Sequence, residues 1–162
     1  CGDNWEMVAG LRLVKGAIEY IKDNDAAVAD LSPDSGAWQT AKTAAGETIY
    51  LDATNGGVTV TTEAPEEDWN GCRFKEMEIA LDEVPEILRQ LGIVPQNVEE
   101  ETAYIYADSG EEEAVPFRGS GFRHTSSGGI GALNLYNARS YVSYSVSFRS
   151  AYVEFEELET EN

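Results

Sequence analysis

The stretch "FRGSGFRHTSSGGIGALNLYNARSYVSYSVSFRSAYV", residues 117–153, contains no Asp or Glu, although 30 of the chain's 162 residues are acidic. Two kinds of position alternate along it. Phe117, Ala132, Leu133, Leu135, Val146, Phe148 and Val153 form an apolar skeleton suited to packing, as the inward side of short strands requires. Between them stand Arg123, His124, Tyr136, Tyr141 and Tyr144, with Ser and Gly as spacers. Tyr presents a large amphipathic face for the loss of only two torsions, and Ser and Gly permit close, adaptable contact. The absence of carboxylates also removes groups that are costly to desolvate in the centre of an interface. On composition alone, a binding surface and an ordinary Ser-rich edge strand fit equally well.

Working outward, residues 114–153 carry four arginines and no acid, so the formal charge of −19 is the net of +4 here and −23 elsewhere. Such a field repels a phosphate backbone, so no nucleic-acid partner is expected. No apolar run reaches the length of about 20 residues that a membrane helix needs, so no membrane insertion is expected, and no signal segment opens the chain. The length suits one domain with one core, residues 1–162. Cys1 and Cys72 leave pairing open. A lipidated Cys1 is disfavoured because the apolar Trp5, Met7, Val8 pattern begins without a polar tether. A first residue other than Met points to missing upstream sequence.

Turn chemistry marks the elements. "MVAGLRLVKGAIEYIK", residues 7–22, reads as a hairpin about Lys15-Gly16, with Leu11, Leu13, Ile18 and Tyr20 at period two. Residues 23–46 are small, polar and broken by Pro33, Gly36 and Gly46, which predicts a long loop with one short helix near Trp38. "TIYLDATNGGVTVTTE", residues 48–63, is the strongest hairpin, with Asn55-Gly56-Gly57 between β-branched runs. Pro85, the Ile87, Leu88, Leu91 face and Gly92 predict a helix over about 84–91. Tyr104 to Tyr106 reads as a strand and Ser109-Gly110 as a turn. Short strands follow, and residues 154–162 form an acidic tail.

Catalytic constellations are sparse. The single histidine, His124, lies among Arg, Thr and Ser and reads as a surface loop residue rather than a general base. Cys1, Cys72 and His124 fall short of a zinc ligand set, so no metal or other cofactor is expected. Asp23 and Asp25 begin at calcium-loop spacing, but Ala27, Val28 and Asp34 stand where a ligand, the glycine and the bidentate Glu belong. The Gly-rich "SGGIG", residues 127–131, lacks the Lys-Ser/Thr and the strand-to-helix context of a phosphate loop.

Phe117-Arg118-Gly119, Gly129, Ala132-Leu133-Asn134-Leu135, Ala138-Arg139-Ser140 and Phe148-Arg149, spaced without a gap, carry a further signal. This run resembles the C-terminal segment of the variable proteins of diversity-generating retroelements. "CGDNWEMV", residues 1–8, is similar to an element that this family shares with relatives of the formylglycine-generating enzyme. The resemblance implies an α+β C-type lectin fold, with short antiparallel strands, one or two short helices and long loops. It implies a hypervariable binding segment over residues 117–153. The departures from the family run are Ser120, Phe122, Val142 and Ser147. "DWNG", residues 68–71, is similar to the calcium motif of sugar-binding C-type lectins, but Gly71 replaces the liganding Asp, so a loop with a packed Trp69 is expected.

In such proteins, substitution at template adenines varies Asn codons of the form AAY. That process cannot yield Lys, Glu, Gln, Met or Trp, and none of these occurs between Gly119 and Tyr152. Carried over residue by residue, the varied positions are Gly121, Arg123, His124, Ser127, Tyr136, Tyr141, Tyr144 and Ser145, together with Ser143 and Gly131. The function implied is non-catalytic binding of a host-surface protein or other surface ligand. The setting implied is a phage tail virion or a cell surface, and a trimeric fibre would make the protein a homotrimer. Two other functions compete: a formylglycine-generating-type oxidoreductase on the same fold, which needs a reactive cysteine pair, and a purely structural virion component.

Overall fold

The computed structural model describes residues 4–23, 25–120 and 131–147. Its strands are β1 (Trp5–Met7), β2 (Leu11–Val14), β3 (Ala17–Tyr20), β4 (Gln39–Thr40), β5 (Tyr50–Asp52), β6 (Thr59–Thr61), β7 (Trp69–Arg73), β8 (Glu78–Ile79), β9 (Tyr104–Asp108), β10 (Ala114–Gly119), β11 (Leu133–Ala138) and β12 (Val146–Ser147). Among the described residues, one α-helix, α1 (Glu86–Gln90), and three 3-10 turns accompany them. Short, mainly antiparallel strands with long loops are therefore present as expected, but the molecule is dominated by sheet, with less helix than an α+β description implies.

Both expected hairpins form. In the first, Lys15 and Gly16 take φ of 48° and 78°, the paired positive values of a tight primed turn, and Leu13 pairs with Ile18. In the second, Leu51 pairs with Val60 across the Asn55-Gly56-Gly57 connection. Helix α1 begins one residue after Pro85 and buries Leu88, with Ile87 and Leu91 partly buried on the core. Two expectations fail. Around Trp38 the chain is extended as β4, because the Trp38 ring lies under the Arg12 guanidinium at 4.3 Å and its indole N–H donates to Ser32 O. Residues 69–73 are strand β7 rather than loop, paired antiparallel with β9.

The strands form a sheet of order β7-β9-β11-β10-β2-β3-β5-β6-β8, and each of these strands contributes to one main core. The sheet curls so that its two halves meet, since the Asn70 side chain on β7 donates to Ala53 O just beyond β5 at 2.6 Å. Strand β10 is the branch point. It pairs with β11 on one side, while on the other side it pairs with β2 at Ala114 and with β1 from Phe117 to Gly119. The register shifts between Val115 and Phe117, around Pro116, whose missing N–H suits a bulge rather than a regular ladder. Strand β1 then pairs in parallel with β12.

Three arginines tie the loops and α1 to this frame. Arg12 donates to Glu19, Glu113 and Pro33 O, and Arg139 grips Glu113 through two bonds of 2.7 and 2.8 Å. Arg118 on β10 donates to Leu91 O at 2.7 Å and Gly92 O at 3.3 Å, closing the C-terminal end of α1. Replacing it by Met keeps the stem and removes both bonds, so Arg118→Met is expected to cost about 2 kcal/mol. Urea titration of both proteins measures that loss, and an unchanged midpoint would refute the role.

Candidate functional site

The outer face of β7, β9 and β11 is built by simple alternation. On β9, Ile105 and Ala107 are fully buried in the main core, so Tyr104, Tyr106 and Asp108 point the other way. On β11, Leu133 and Leu135 face the core, which turns Asn134 and Tyr136 outward. On β7, Cys72 packs into the core, leaving Trp69, Gly71 and Arg73 on the outer side. The ladder aligns these as rungs: Trp69 opposite Asp108, Gly71 opposite Tyr106, and Arg73 opposite Tyr104.

Rings fill this face in a continuous run. Trp69 and Tyr136 meet with ring centroids 5.9 Å apart, tilted by 40°. Tyr136 meets Tyr106 at 6.0 Å edge to face, Tyr106 stacks on Tyr104 at 5.5 Å, and the Arg73 guanidinium lies 5.1 Å from the Tyr104 ring centre. Such offset and edge contacts are the favoured aromatic geometries, each contributing about 0.5–1.5 kcal/mol beyond burial. Gly71 makes room for them, because a Cβ there would fall 2.2 Å from the Tyr106 ring.

Beside the run lies a second, smaller core of Trp5, Val115, Phe117 and Ala132, with Tyr106 and Val146 against it. Trp5 touches Tyr106 edge to face at 6.5 Å, and its backbone N–H donates to Ser145 O. Tyr141 packs edge to face on Phe117 at 6.3 Å. The loop after β11 is therefore held on the same side of the sheet as the aromatic run. Within it, the Ser143 and Ser145 hydroxyls lie 3.0 Å apart, and Val146 N–H donates to Ser143 O.

Of the ten residues singled out from sequence, six are described. Tyr136, Tyr141, Ser143, Tyr144 and Ser145 belong to this surface or its adjoining loop, and Tyr144 is 78% exposed. Gly131 turns the chain into β11, and a Cβ on it would stand 3.2 Å from that of Ala103, so this position is close-packed. Gly121, Arg123, His124 and Ser127 lie outside the described residues. Two polar residues of the same segment, Asn134 and Arg139, take up structural work. Asn134 is buried, and its Oδ1 accepts from Tyr136 N–H and from the Asn137 side chain, while Arg139 anchors the end of β11 to Glu113.

Trp69 is the residue that sequence reasoning misplaced. It is not packed in a loop but 60% exposed on β7, leaning on Tyr136. The available signal was the alternation of Trp69, Gly71 and Arg73 against Asn70 and Cys72, which Gly and Asn obscure as a strand pattern.

Chemically the face offers ring surfaces, hydroxyls and carboxylates. Cys72 is a free thiol buried among apolar side chains, and that burial pushes its pKa up, away from the thiolate form that nucleophilic or redox chemistry uses. Among the described residues no group of three or more His, Cys, Asp or Glu side chains is arranged to hold a metal ion. Also among them, no helix is long and apolar enough to cross a membrane. No family model matches the chain, and a search of the curated proteins finds no match.

Proposed function

We propose that the protein is a non-catalytic binding protein, a variable protein of the diversity-generating retroelement type, with its diversified segment mounted on a C-type lectin-like scaffold. The observation that carries this reading is the union of Tyr136, Tyr141 and the adjoining Ser and Tyr positions with a continuous aromatic surface supported from below by a buried skeleton. Side chains at the exposed positions can change with little effect on folding, because exposed sites away from special features typically contribute within about ±0.5 kcal/mol. The skeleton residues Leu133, Leu135 and Phe117 are fully buried and cannot vary so freely.

Tyr, Trp and Arg are the residue types that dominate protein interfaces, so the ligand proposed is a host-surface protein and the setting a phage tail or a displayed surface. A homotrimeric fibre is the assembly in keeping with that setting. The oxidoreductase alternative is weakened by the buried Cys72 thiol.

Sequencing residues 117–153 and the flanking DNA across the source population tests the proposal. Substitutions are expected to concentrate at Arg123, His124, Tyr136, Tyr141 and Tyr144 while Leu133, Leu135 and Phe148 stay constant, with an adenine-rich template and a reverse transcriptase nearby. Evenly scattered variation, or no such template, would return the segment to a structural role.

A further inference from the structure

The outermost part of the aromatic run is supplied by two different regions of sequence. Tyr136 comes from the acid-free segment, whereas Trp69 comes from the acid-rich body and lies outside residues 117–153. Trp69 belongs to strand β7, the terminal strand of the sheet order, and it remains 60% exposed even with Tyr136 beside it. An indole of that exposure on an open sheet face is a large unpartnered ring surface with a rigid strand behind it.

Its surroundings decide what can cover it. The open hollow that the indole itself lines is also lined by Glu67, Asp68, Asp108, Glu111 and Glu112. Glu112 is engaged with Lys15 at 2.8 Å, and Lys15 also lies within electrostatic reach of Glu67; Asp68 and Asp108 each accept backbone N–H bonds at Oδ1, and among the described residues neither they nor Glu111 form an ion pair. At the opposite end of the run, Arg73 is committed to Thr102 O and to the Tyr104 ring. The exposed end is therefore an electron-rich ring face inside a negative field. A cation over a Trp face gains from the ring quadrupole, and neighbouring carboxylates both steer it and hold its N–H groups.

We propose that Trp69 and its carboxylate rim form a fixed anchor that receives a Lys or Arg side chain from a basic loop of the protein partner, while Tyr136 and the loop beyond it supply the adjustable half of the contact. This inference rests on the binding reading above and adds a constant subsite with a stated chemistry. One half of the surface selects any cationic protuberance, and the other half discriminates among the proteins that carry one.

The test uses the full 162-residue chain and a synthetic Gly-Lys-Gly-Arg-Gly-Lys-Gly peptide, with a Glu-for-Lys/Arg version as control. Binding is followed in every variant by the fluorescence anisotropy of a dye-labelled peptide and, in chains that keep Trp69, by its indole N–H resonance, assigned by its loss in Trp69→Phe. The basic peptide is expected to shift that resonance and to bind more weakly as salt is raised. Trp69→Ala is expected to weaken binding about tenfold, as truncating an aromatic anchor does. The double variant Glu67→Gln, Glu111→Gln is expected to weaken it severalfold and flatten the salt dependence. Both changes lie on exposed or half-exposed side chains, and circular dichroism confirms that each variant is folded. Equal binding of the acidic peptide, unchanged binding by Trp69→Ala, or a response to a neutral oligosaccharide in place of the basic peptide would each overturn the proposal. Population sequencing judges the diversified-binder reading separately, so either can fail while the other stands.

Discussion

Phe117→Ala is expected to destabilise the protein by about 3–5 kcal/mol, the usual cost of emptying a fully buried aromatic site. That is a large share of the roughly 5–15 kcal/mol that holds a domain together. The effect should also be local in its pattern. Phe117 packs with Trp5, Val115 and Ala132, and it carries the Tyr141 ring on its edge. Below the new midpoint, resonances of residues 141–147 should move toward disordered values, while those of the β5–β6 hairpin stay put. Phe117→Leu, which refills most of the volume, should recover much of the loss. A cost under about 1 kcal/mol for Phe117→Ala would mean that the second core does not support the loop.

Glu113→Ala should cost about 3 kcal/mol, because it strips a largely buried arginine of one of its carboxylates and frees a second arginine altogether. The exposed Lys15–Glu112 pair next to it is the natural control, and Glu112→Ala should leave the urea midpoint unchanged. Acid should reproduce the Glu113 effect in the wild type. Hydrogen bonds from Arg139, and then from Arg12, hold the Glu113 carboxyl below its ordinary value of 4.5 against the opposing effect of burial. A depressed folded pKa means that the stabilisation is complete above the unfolded value and disappears as pH falls through the folded one. The stability gap between wild type and Glu113→Gln should thus be widest near pH 6 and close as the pH drops well below 4.5. A gap that is constant with pH would show that Glu113 acts by shape rather than by charge.

What could be read from the chain was whatever local chemistry determines. Lys15-Gly16 and Asn55-Gly56-Gly57 specify their turns by backbone preference alone, and Pro85 and Gly92 bracket α1 in the same way. Tyr136 and Tyr141 stood out because their composition differs from that of their surroundings. What could not be read depends on partners far away in sequence. Trp69 becomes a strand residue only through Asp108, and β4 is extended because Arg12 from another strand holds Trp38. Arg12 and Glu113 are 101 positions apart, and no periodicity announces their pairing. The same reason hid the aromatic face: its outermost ring, Trp69, comes from β7, whose outward side is defined only once Cys72 is known to be buried.

Strand β1 has a consequence for how the protein is made. Met7 pairs with Phe117, and Trp5 with both Gly119 and Val146. At synthesis rates of roughly 5–20 residues per second, the ribosome takes on the order of 6–20 s to travel from the first of these partners to β10. Throughout that interval the short strand Trp5-Glu6-Met7 has neither of its partners, and its open edges can pair with a neighbouring nascent chain on the same message. The carboxylates gathered before residue 114 emerge during the same interval, and mutual repulsion between polysome neighbours is a service they perform before the finished surface exists.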